Sequence, residues 1–176
     1  MFVIKYLPFL GLSLLIVIGC LVAFERRPSV KRAIVYGSLA IYLVCVAWLL
    51  FTPGQYFIDP YYYDVRYFYW HHAKIIYIPS ALRSMGSFMN IVMTIPAGVY
   101  LGILFHKHLN WFLVVIAAGM TGLLNEGMQL VLDVLINIQR TVDITDVITN
   151  ACGVIAGYIL FSAFVKPLMQ DNKQKN

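Results

Sequence analysis

The residues of this chain best equipped for chemistry are carboxylates, amides and one arginine set in apolar sequence. Glu126, Gln129 and Asp133 stand at i, i+3 and i+7, which is one face of a helix. Asp146, Asn150, Gly153 and Gly157 stand at i, i+4, i+7 and i+11, again a single stripe, with Asp143 three residues upstream. Asn90, Thr94, Gly98 and Gly102 recur every four residues. Ionisable groups inside membrane helices cost free energy, so they face a bundle interior or a wet cavity. Arg140 is the natural cation for Glu126, Asp143 and Asp146. Two readings follow: an internal salt bridge tying a loop to the bundle, or a site for a polar or charged headgroup. The second is favoured, because Glu126, Arg140, Asp143 and Asp146 with the amides of Gln129 and Asn150 exceed what one tie requires.

Other chemistry has little support. No GxSxG, HExxH or phosphate-cradling loop occurs. His106 and His108 flank Lys107 and read as interfacial residues, while His71 and His72 fall in an aromatic stretch on the other side of the membrane. The sequence therefore offers no metal site and implies no cofactor. Cys20, Cys45 and Cys152 lie in apolar runs without CxxC spacing, as small buried hydrophobes do. Val17-Ile18-Gly19-Cys20 resembles a lipobox, but the apolar run continues through Phe24 and the basic cluster follows it, so an uncleaved anchor helix is expected.

The elements that must position these residues are membrane helices. The chain has 176 residues, 61% of them hydrophobic and 12% charged, and a soluble domain carries about twice that charge fraction. Apolar runs of spanning length are expected at about 6–24, 33–51, 88–105 (interrupted by Pro96), 111–132 and 145–165. The fold expected is an all-α bundle of about five transmembrane helices, a single membrane domain over 1–176. The net charge of +5 does not point to nucleic acid, because the cations flank apolar runs and form no patch with base-reading residues. Instead they orient the chain. The short basic connection with Arg26, Arg27, Lys31 and Arg32 should be cytoplasmic, which sets the N-terminus outside. Alternation then puts Lys107 and the C-terminal tail with Lys166, Lys173 and Lys175 inside. Lys5, Arg66, Lys74, Arg83 and Arg140 remain outside, scattered and mostly accompanied by acids.

The stretch 52–87 is thick with Tyr, Phe and Trp, including Tyr56, Phe57, Tyr61, Tyr62, Tyr63, Tyr67, Phe68, Tyr69, Trp70 and Tyr77. Such residues favour the headgroup zone, so an aromatic extracytoplasmic loop lying along the outer surface is expected. The pairs Gly98–Gly102 and Gly153–Gly157 allow close helix approach in lipid, which would join the polar stripes. With the fourth helix leaving the membrane near Leu132, Glu126 lies about 9 Å below that end. The polar groups then belong to the outer half of the bilayer.

These residues resemble a known family. Asn90-x5-Pro96-x-Gly98 is similar to the first signature of the VanZ-like family. Glu126-x2-Gln129 followed by Arg140-x2-Asp143-x2-Asp146-x3-Asn150-x2-Gly153-x3-Gly157 resembles its second almost position for position. The resemblance covers about 84–160, and only Ala97 departs, where a larger residue is common. It implies a multi-pass protein of the cytoplasmic membrane of a Gram-positive bacterium. The family's founding member is linked to low-level resistance to teicoplanin, a glycopeptide with a lipid tail, without rebuilding of the peptidoglycan precursor.

The function expected is a non-catalytic outer-leaflet site in which Asn90, Glu126, Gln129, Arg140, Asp143, Asp146 and Asn150 bind a ligand. Pro96, Gly98, Gly102, Gly153 and Gly157 set the helix packing. The ligand would be a lipid headgroup, a lipid-linked wall precursor or a lipoglycopeptide. A membrane enzyme with Glu126 as acid or base is the alternative, but no nucleophile–base pair accompanies it. A small transporter or flippase is a further one, although no inverted repeat is evident and the stripes fade towards Gly102, Tyr158 and Leu160.

Overall fold

A computed structural model of the chain describes residues 3–26, 28–54, 66–79, 82 and 84–169. Much of the expected aromatic loop, at 55–65, lies outside the described residues, as do Arg27, Arg83, Lys173 and Lys175. Among the described residues, five helices are long and apolar enough to cross a membrane.

A 3-10 turn at Val3–Tyr6 leads into α1, Leu7–Glu25, with Pro8 in its first turn, where a missing N–H costs little. No residue of α1 is buried, although nearly all are apolar. That is the pattern of a helix solvated by lipid tails. α2, Val30–Phe51, starts at Ser29, whose hydroxyl oxygen accepts from Arg32 N at 3.3 Å, and stops before Pro53. α3, Met85–Phe105, is capped by Ser84, which accepts from Ser87 N at 3.1 Å. Pro96 was expected to interrupt this span, yet α3 runs through it unbroken. Proline removes a single backbone donor, and packed membrane helices tolerate that loss.

α4, Trp111–Ile136, begins where the Asn110 side chain accepts from Leu113 N at 2.9 Å. It outruns its expected end at Leu132, so Asp133 belongs to its last turns and Glu126 lies about 15 Å inside the helix end. α5, Ile144–Leu160, passes into a π-helical turn at Phe161–Val165.

The non-helical structure is a small sheet in strand order β1-β2-β3, with β1 at Tyr67–Trp70, β2 at Ala73–Ile76 and β3 at Thr141–Asp143. His71 turns the hairpin with φ 55°. Every β1 side chain is exposed. Tyr67 and Tyr69 meet edge-to-face at 5.7 Å, and Lys74 Nζ lies 4.5 Å from the centre of the Tyr67 ring.

The chain forms two compact units. The first holds α1, α2, Trp70–Ala73 and Met128–Thr141. In it Trp48 packs on Phe9 with ring centres 5.1 Å apart, and a cleft of about 260 Å³ is lined by Pro8, Leu12, Leu15, Phe51, Met128 and Leu132. The second unit holds α3, α4 as far as Gly127, α5 and most of the sheet. There α3 and α5 lie backbone to backbone. A methyl group on Gly98 would overlap the Val154 carbonyl, and one on Gly157 would overlap the Ile95 carbonyl. Gly153 meets Thr94 and the Ile91 carbonyl in the same way. Gly102 packs under the Phe161 ring, and α4 joins through Gly122, which lies against the backbone of Val147.

Candidate functional site

The second unit contains Asn90, Glu126, Asp143, Asp146 and Asn150. Asp143 ends β3 and caps α5. Its backbone is extended, and one carboxylate oxygen accepts from Thr145 N at 2.7 Å. The Asp143 N–H in turn donates to Glu126 Oε2 at 3.0 Å. A carboxylate deep in α4 thus holds the start of α5. Both acids are buried, at 4% and 1% exposure, so this bond is made away from solvent. One turn on, Asp146 accepts a hydrogen bond from the Asn90 side chain, joining α5 to α3.

The stripe continues one turn deeper at Asn150, where the Thr94 hydroxyl lies 2.9 Å from the Asn150 carbonyl oxygen and 2.8 Å from that of Asn90. Asn150 itself is wholly buried. Its side-chain nitrogen and oxygen have no hydrogen-bond partner among the described residues. The hydroxyl of Thr145 is likewise buried and unpartnered there. Buried polar groups in native proteins are nearly always satisfied, so this amide is an unmet demand for a polar partner.

Gln129 and Arg140 fall in the first unit. Gln129 is buried at 5% exposure, in line with its place on the polar face of α4. Arg140 Nε donates to the Thr52 carbonyl at 3.1 Å, and the guanidinium stem packs on Gly54. Asp133 organises the backbone here. Its Oδ1 accepts from Gln139 N at 2.7 Å and more weakly from Arg140 N at 3.4 Å. Gly54 N donates to the Ile138 carbonyl at 2.9 Å, and Lys5 Nζ donates to the Asn137 carbonyl. Asn137 and Gln139 adopt positive φ of 50° and 60°, a turn that these bonds hold in place.

Reasoning from sequence left Asp133 and Thr52 out of the site. Asp133 had a signal, its i+7 position on the stripe of Glu126. Thr52 had none, since it contributes a backbone carbonyl. Among the described residues no cluster of His, Cys, Asp and Glu is arranged to hold a metal ion. The three cysteines are free, and Cys45 and Cys152 are exposed on apolar helices rather than buried as expected. In a membrane-spanning helix, an exposed surface faces lipid or a neighbouring chain.

A family model described as VanZ/LLP1 matches residues 39–165, which takes in the second half of α2, all of α3 to α5 and each of Asn90, Glu126, Gln129, Arg140, Asp143, Asp146 and Asn150. Neither curated proteins nor solved structures gave a match.

Proposed function

The chain belongs to the VanZ/LLP1 family, and from that premise we propose that it is a non-catalytic membrane protein that binds the polar head of a lipid-tailed ligand at the outer leaflet. The observation that carries this reading is Asn150, a wholly buried amide with both side-chain atoms unpartnered, in a helix long and apolar enough to span a bilayer. Such a group destabilises the empty protein and finds its partner in a ligand. Glu126, Asp143, Asp146 and Asn90 share its unit and offer acceptors and a donor suited to the hydroxyls, amides or ammonium of a headgroup.

The ligand class is a lipid-linked wall precursor or a lipoglycopeptide such as teicoplanin. Entry from the bilayer would discriminate between glycopeptides with and without a lipid tail. Expression of the wild type and of Glu126→Gln at matched membrane levels in a susceptible Gram-positive host tests this, with growth inhibition by teicoplanin and by vancomycin as the readout. The expected result is protection against teicoplanin alone, lost in the variant. Equal protection by the variant would remove Glu126 from the function.

A further inference from the structure

The end of the α1–α2 pair where the two helices are joined carries a cleft of different chemistry. A cleft of about 430 Å³ is lined by Gly19, Val22 and Ala23 from α1, Arg26 just beyond it, and Arg32 and Tyr36 from α2. All six residues belong to the first unit. A side chain at Gly19 would meet no atom beyond its own stretch of α1 within 4 Å, so the cleft is open at this position. Two of the lining residues are guanidinium groups and none is acidic. Arg26 is exposed, and Arg32 and Tyr36 are half-buried. The helix surface leading away from the cleft is apolar, with Ile18, Leu21 and Val22 all exposed.

We propose that this cleft binds the phosphate of an anionic phospholipid. Arg26 and Arg32 pair with the phosphate oxygens and the Tyr36 hydroxyl donates to them. The acyl chains lie over Gly19 and Val22, along the exposed apolar face of α1. Guanidinium matches phosphate by paired N–H donors at fixed spacing, which a single lysine cannot reproduce. A free phosphate would use the same two arginines but would have no use for the apolar approach. A lipid uses both. Basic pockets between membrane helices near the cytoplasmic surface take anionic headgroups in this way. The positive-inside pattern puts this connection on that surface. The site is independent of Glu126 and of the ligand proposed above.

The test uses full-length protein in bilayer discs of phosphatidylcholine containing a minor fraction of phosphatidylglycerol, with retained lipid read by native mass spectrometry after extraction. The wild type is expected to retain phosphatidylglycerol over phosphatidylcholine, and added inorganic phosphate is expected not to displace it. Arg26→Gln with Arg32→Gln should lower that retention at least about tenfold, given a contribution of about 1 kcal/mol per arginine near the surface. Arg26→Gln alone, at an exposed position that the fold does not depend on, should lower it about fivefold. Lys166→Gln, which removes one charge elsewhere, should leave it unchanged. Equal retention of the two lipids, unchanged retention in either arginine variant, or an equal loss in Lys166→Gln would overturn the proposal. Displacement by inorganic phosphate would overturn it too, by making the site a receptor for the free anion.

Discussion

Asn150 and Glu126 are both buried polar residues, yet they stand in opposite energetic positions. Glu126 is paired with the Asp143 N–H, so removing its carboxylate orphans a buried donor at the start of α5. Glu126→Ala should cost about 1–3 kcal/mol, the range for a buried donor left unsatisfied. Asn150 has no side-chain partner among the described residues, so removing its amide takes away a penalty. Asn150→Leu should leave stability unchanged or raise it by about 1–3 kcal/mol, while abolishing any function that needs the amide. Thermal unfolding in detergent, run on both variants, checks the pair. A marked loss of stability in Asn150→Leu would show that the amide is satisfied and structural. The stripe itself could be read from spacing, because i, i+3, i+4 and i+7 positions must share a helix face whatever the fold. Which members are paired was hidden. Glu126 accepts from the Asp143 N–H, Arg140 donates to the Thr52 carbonyl and Asp133 accepts from the Gln139 N–H, and such backbone groups are carried by every residue and distinguished by no sequence pattern.

The glycines of α3 and α5 decide how closely those two helices approach. Gly157→Ala would drive a methyl group into the Ile95 carbonyl, whereas Gly119→Ala on α4 meets nothing within 4 Å. Overpacking of this kind costs about 1–3 kcal/mol, and the same change at Gly119 should be neutral or stabilise by up to about 1 kcal/mol through helix propensity. Denaturation midpoints of the two variants against wild type check this, and an equally tolerated Gly157→Ala would contradict the packing. Hydropathy located every span, because twenty apolar residues have few other uses. It ended the fourth apolar run at Leu132, four residues short of the end of α4 at Ile136, although Asp133 shares the helical face of Glu126. In fact that carboxylate is buried and binds the turn that follows. The hairpin of β1 and β2 was missed for a related reason. Tyr67, Phe68, Tyr69 and Trp70 suit a headgroup belt and a β-strand equally well, and His71-His72 carries none of the usual turn residues.

At the scale of the molecule, five membrane-length helices and the VanZ/LLP1 match define a small multi-pass protein. Its two units differ in chemistry. The first combines the cleft lined by Pro8, Leu12, Leu15, Phe51, Met128 and Leu132 with the network of Thr52, Asp133 and Arg140. The second holds the buried acids Glu126 and Asp143 and the buried amide of Asn150 together with a close-packed pair of helices. Apolar surface next in the chain to polar groups is what a lipid-tailed ligand requires, and a purely water-soluble one would have no use for it. The most direct test offers teicoplanin and a lipid-linked wall precursor separately to full-length protein in bilayer discs, and reads retained ligand by native mass spectrometry for wild type, Glu126→Gln, Asn150→Leu and Gly119→Ala. Wild type and Gly119→Ala should retain at least one of the two, with retention reduced at least about tenfold in the Glu126 and Asn150 variants. Retention of neither by wild type, or equal retention by all four proteins, would contradict the proposed function.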